Sequence, residues 1–185
     1  MRLDKPRLEP LPESEWDPEI ADRIRAMGPI PPNIIKTLAH HPKLYKRWSV
    51  FGNHIFGNST LPPRHREMAM LRIGWRCQSV YEFGQHTLIG LDCGLSEAEV
   101  AALTRPAPGP EWSEFERSLI TAVDELKDDS FVSDATWLAL SQEYSKQQMM
   151  DLVFTVGQYA LVSMALNTLG VQLDDGVPGF PPTAG

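Results

Sequence analysis

The chain has 185 residues, 42% of them hydrophobic and 22% charged, with a formal net charge of −7. That length suits one domain with a real core, and the acidic balance argues against nucleic-acid binding, because no basic surplus exists to neutralise phosphates. Two cysteines, Cys77 and Cys93, form neither a disulfide framework nor a zinc ligand set, and the opening MRLDKPRLEPLPESEW has no apolar signal-like stretch, so a reducing cytoplasm is the expected compartment.

Pro6, Pro10 and Pro12 suit an extended arm, which with a first helix fills residues 1–30. Residues 31–172 read as one helical domain, and 173–185 as an irregular Pro/Gly-rich tail. Periodicity predicts helices over 15–27, 33–39, 42–57, 62–77, 79–93, 97–104, 114–128, 134–143 and 146–169. No segment alternates with period two, so the fold class is all-α. Capping boxes are expected at Ser79/Glu82, Ser96/Glu99, Ser113/Glu116 and Ser145/Gln148, where the serine accepts from an amide and the partner side chain reaches back. Pro62 and Pro63 suit a first helical turn, and Gly94 and Gly170 suit C-terminal caps. The run MMDLVFTVGQYALVSMALNTLG is broken by Asp151, Gln158 and Asn167, so it reads as a core helix and not a membrane span. A shift of 81 residues lays Glu67 on Gln148 and His86 on Asn167, a weak echo of a duplicated helical unit with ionisable groups in one copy.

The chemistry concentrates between Glu67 and His86. On a helical wheel His65, Ala69, Arg72 and Arg76 form a polar strip, while Met68, Met70, Leu71, Ile73, Gly74, Trp75 and Cys77 cover the rest. Glu67 falls inside the apolar arc. A carboxylate there needs a partner or a raised pKa, unless it serves as a first-turn glutamate paired with Arg64. Gly74, on the same line, makes room for a ligand or a close backbone. On the next helix Ser79, Glu82 and His86 share a stripe, with Glu82 and His86 at the i, i+4 spacing where side chains meet. A carboxylate beside an imidazole raises its pKa and makes it a fair general acid or base. The plainer alternative is that Ser79 and Glu82 only cap the helix and His86 is a satisfied polar residue. His40, His41, His54 and His65 lack such context, and Cys77 reads as core. There is no phosphate loop, dinucleotide fingerprint, HExxH or GxSxG, so neither a cofactor nor a metal is expected.

The stretch RHREMAMLRIGWRCQSVYEFGQHTLIGLDCGLSEAEVAAL, continued by WSEFERSLITAVDELKDD and GQYALVSMALNTLGVQLD, resembles the carboxymuconolactone decarboxylase family, which includes the alkyl hydroperoxidase D branch. The resemblance implies an alkyl hydroperoxidase D-like helical bundle with a duplicated hairpin, and homo-oligomers that are trimers or hexamers. In the peroxidase branch a Glu, two cysteines and a His recur at fixed spacing. Glu67 and His86 fall on the Glu and His, but Ser79 and Glu82 stand where the cysteines would be. A disulfide-cycling peroxidase needs both thiols, so the resemblance points to the decarboxylase branch. It implies cofactor-free acid–base decarboxylation of a small carboxylated lactone, as in aromatic-compound catabolism, with no nucleic-acid or membrane partner. His86 would donate the proton or stabilise the enolate, with Glu67 and Glu82 as its catalytic partners. Ser79, Tyr81 and Trp75 are candidate pocket residues, and one of Arg64, Arg66, Arg72 and Arg76, with Arg72 and Arg76 foremost, is a candidate clamp for a second carboxylate. Isomerase- or hydrolase-type proton chemistry on another small carboxylated compound is the alternative, and a non-catalytic oligomeric binding protein the third.

Overall fold

A computed structural model describes residues 1–182, and among them helices are joined by turns with no strand. The helices are α1 (Pro18–Arg25), α2 (Asn33–Leu38), α3 (Pro42–Asn53), α4 (Pro63–Arg76), α5 (Val80–Asp92), α6 (Glu97–Ala102), α7 (Glu114–Asp129), α8 (Asp134–Leu140) and α9 (Lys146–Leu169). Their bounds follow local chemistry. The α1 helix starts at Pro18, whose missing amide donor costs nothing at the first position, with the Asp17 side chain accepting from the Glu19 amide. Ser96, Ser113 and Ser145 form the expected capping boxes. Gly170 closes α9 at φ 73°, and Gly94 follows α5 at φ 90°. Both are left-handed positions where a Cβ is penalised.

Three departures from the sequence reading matter. The third helix does not run regularly to residue 57. It ends at Asn53 and widens into a π-turn over His54–Asn58, a stretch weakened by Gly57 and Asn58. Ser79 precedes α5 without a side-chain cap: its hydroxyl has no partner among the described residues, and the Glu82 side chain turns to His86 instead of reaching back. The segment that the 81-residue echo aligns with α4 and α5 is the single continuous helix α9.

The centre of the molecule is α4, whose residues Glu67–Gly74 are all buried. It packs on α5, α7 and α9. Met68, Leu71, Leu119, Val123, Leu152 and Val156 meet in the main core, each such buried side chain stabilising by roughly 1.5–3 kcal/mol. A smaller cluster of Ile20, Ile24, Ile35 and Tyr45 joins α1, α2 and α3. Gln78, at φ 52°, turns the chain between α4 and α5. There a Cβ at Gly74 would make ordinary contacts, 3.4 Å from the Phe83 amide and 3.6 Å from Glu82. The α9 helix is a core helix on one face and exposes Met150, Phe154, Leu161 and Met164 on the other.

Candidate active site

The buried Glu67, from the second turn of α4, meets His86 across the α4–α5 hairpin, with Nδ1 2.6 Å from Glu67 Oε2. Nε2 of the same ring lies 3.0 Å from Glu82 Oε1, the i, i+4 neighbour on α5. Glu67 also accepts from Arg66 Nε at 3.0 Å. Arg64, the alternative partner, is taken by Glu99 and Glu116 instead. The result is a row of alternating charge, Arg66, Glu67, His86, Glu82. Glu67 is fully buried, and Glu82 and His86 are each only 5% exposed, so the row is largely shielded from water and its internal attractions are strong.

Burial opposes the charge on His86, but its bonds to Glu67 and Glu82 outweigh that cost and hold its pKa at about 9, against an ordinary 6.5. The folded protein therefore keeps this proton more tightly than the unfolded chain does. The stability it confers is fully present below pH 6.5 and is lost as pH rises through about 9. The expected result is a thermal midpoint that falls across that window in the wild type. In His86→Ala the decline should be visibly shallower, as read by circular dichroism melts at a series of pH values.

Glu82 and His86 form part of the wall of a cavity of about 260 Å³. Most of the wall is apolar and comes from distant segments, including Ile34 of α2, Trp48 of α3, Phe56 of the π-turn and Tyr159 and Val162 of α9. Tyr159 stands edge-on to the His86 ring at 4.8 Å between centroids, and Phe56 does so at 6.1 Å. The π-turn that carries Phe56 is followed by Ser59 and Thr60, both held by buried Asp151. Its carboxylate accepts from the Thr60 amide at 2.6 Å and hydroxyl at 2.7 Å, and it also lies 3.3 Å from His54.

The residues expected at the site separate into two groups. Glu67, Glu82, His86 and Tyr81 come together. The Tyr81 ring lines the cavity, but its hydroxyl donates to Asp174 at 2.5 Å. Burial and that carboxylate raise the Tyr81 pKa, so the hydroxyl stays neutral and occupied. Ser79 is fully buried beside the hairpin turn, and its hydroxyl finds no partner among the described residues.

Arg72, Arg76 and Trp75 are not brought to the cavity. Arg72 runs to the opposite side of α4, where it holds Asp124 at 2.6 and 2.8 Å and lies over the Trp75 ring at 4.7 Å. Arg76 pairs with Asp124 and Asp128. The helical wheel already set both arginines on the strip away from Glu67. The wall residues Trp48, Phe56, Gln158 and Tyr159 escaped the sequence reading. Only Gln158 had left a trace, as a polar break in an apolar helix.

Residues 42–125 match the sequence profile described as Carboxymuconolactone decarboxylase family. No curated protein matches the chain. Among solved structures, the alkylhydroperoxidase AhpD core, an uncharacterized peroxidase-related protein from Ralstonia eutropha JMP134, superposes with a TM-score of 0.82 at 18% identity, covering 92% of this chain and 93% of that one. An uncharacterized peroxidase-related protein from Silicibacter sp. TM1040 gives 0.75 at 16% identity, covering 97% and 95%. A variant of the debrominase Bmp8 in complex with 2,3,4-tribromopyrrole gives 0.76 at 14% identity, covering 91% of each chain. These likenesses establish an AhpD-like helical fold.

Proposed function

We propose, from the premise that residues 42–125 belong to the carboxymuconolactone decarboxylase family, that the protein is a cofactor-free acid–base enzyme. Its substrate would be a small, largely apolar carbonyl compound, and its reaction decarboxylation of a carboxylated lactone or a close relative of one. The observation that carries this reading is an imidazole held between two carboxylates at the wall of an apolar cavity.

Both ring nitrogens of His86 are occupied, so the group left to meet a substrate is Glu82, whose second oxygen has no donor among the described residues. His86 and Glu67 stand behind it as a relay. A substrate carboxylate entering the cavity meets no arginine or lysine on its walls. It loses hydration among apolar side chains, which favours its departure as uncharged CO₂. The breaking C–C bond leaves its electron pair in the conjugated system, with the charge on the carbonyl oxygen. Glu82, having drawn a proton from His86 Nε2, then delivers it to carbon, and solvent restores the His86 proton. Neither Cys77 nor Cys93 lines the cavity, which supports acid–base over thiol chemistry. A cavity beside the relay also favours an enzyme over a purely structural oligomer. Self-association is part of the same reading, supported by the apolar outer face of α9.

Turnover of carboxymuconolactone and its relatives tests the proposal. Wild type should be active and His86→Ala slower by about a hundredfold or more. Full rate in His86→Ala would overturn the assignment.

A further inference from the structure

Gln158 is 6% exposed and lines the cavity, yet among the described residues nothing hydrogen-bonds to its side chain. The amide therefore faces the cavity with its donor and acceptor unused by the protein, open to a ligand. Its neighbours leave it free. A Cβ at Gly52 would touch Gln158 Nε2 and the Trp48 ring at 3.8 Å, so the missing side chain holds open the space between them. By contrast Gln85, the other glutamine of the wall, spends its amide on Asp174 at 2.7 Å.

A second cavity of about 90 Å³ adjoins the first, and the two share Ile34, Trp48 and Val162 as walls. Its lining is apolar apart from Thr37, whose hydroxyl is already donated to the Asn33 carbonyl at 2.8 Å. The second chamber therefore accepts hydrocarbon only, and of the two cavities only the first presents polar groups to a ligand.

We propose that the ligand is a carbonyl compound with an apolar tail: its oxygen accepts from the Gln158 amide, and its tail passes the Ile34–Trp48–Val162 wall into the second chamber. The Gln158 N–H is a neutral donor aimed at an oxygen that gains charge during enolate formation. This rests on the reading of the first cavity as the catalytic one, and it narrows that reading to lactones or ketones bearing an alkyl or aryl substituent.

Calorimetric binding of linear methyl ketones of increasing length tests it, since these lose no CO₂ and report binding alone. Affinity should rise about fourfold per added methylene, then level off once the second chamber is full. Ala165→Leu, which fills only the second chamber and suits a helix, should flatten the rise and leave the shortest ketones unaffected. Gln158→Leu should weaken every ketone about fivefold with the length dependence intact, and its thermal midpoint should hold or increase. An affinity independent of length, or a length dependence that survives Ala165→Leu, overturns the tail chamber. Unchanged ketone binding in Gln158→Leu, or a large loss of its stability, overturns the anchor. Either failure alongside His86-dependent lactone turnover sinks this inference alone. Ketone binding as described with no turnover of any lactone sinks the catalytic reading alone.

Discussion

Glu82→Gln should lower kcat by about a thousandfold with little change in KM. The amide keeps the shape of the carboxylate and can still accept from His86 Nε2, now 3.0 Å from Glu82 Oε1, so the cavity wall should survive. What the amide cannot do is take a proton from the imidazole and hand it to carbon. Removing an interaction made only in the transition state lowers kcat and kcat/KM together. The same variant removes one of the two carboxylates that hold the His86 pKa at about 9, so the pH profile of residual activity should shift downward as well. Glu67→Gln offers the contrast. Glu67 is fully buried behind the ring and acts through His86, so its loss should cost less in kcat and still move the pH profile. Steady-state kinetics across pH on the most active lactone checks both. If Glu82→Gln retains more than about a tenth of the wild-type kcat, Glu82 is not the group that meets the substrate.

Arg72→Ala should destabilise the protein by about 3–5 kcal/mol, lowering the thermal midpoint by roughly 10 °C for a chain of this size. The guanidinium is 1% exposed. It makes a two-pronged pair with Asp124 of α7 and donates to the Leu103, Arg105 and Pro106 carbonyls at 2.8, 2.6 and 3.2 Å. Deleting it strips those carbonyls of their donor in a dry interior and leaves Asp124 with Arg76 alone. Arg76, paired at the surface with the exposed Asp128, should cost under about 1 kcal/mol when truncated. Differential scanning calorimetry reads both. Kinetics of Arg72→Ala well below its midpoint should match wild type. A raised KM with unchanged stability would instead return Arg72 to the role of a substrate clamp.

Much of the site was legible because its inner half is local. Glu82 and His86 meet through helical spacing alone, and the wheel position of Glu67 called for a partner. Which partner it found was not legible. Glu67 could have turned to Arg64, but the hairpin turn at Gln78 brings His86 to it. The Glu82 side chain, turned to His86, does not reach back to the helix start, so the capping box expected at Ser79 does not form. The cavity was the least legible part. Its walls come from α2, α3, the π-turn and α9, segments whose mutual distances no local pattern encodes.

The sequence by itself determined the elements, through apolar periodicity, serine caps and proline starts, and it determined the i, i+4 acid–imidazole pair. Those features depend on neighbours within a turn or two of helix. Only the tertiary structure decided that His86 has both nitrogens occupied, with Glu82 at the cavity wall. It also decided that Arg72 and Arg76 tie down α7, and that Gln158, with no hydrogen-bond partner among the described residues, lines a cavity that shares walls with a second. Each of these is settled by how helices far apart in the chain exclude water from one another, and so by which polar groups must find partners and which are left free.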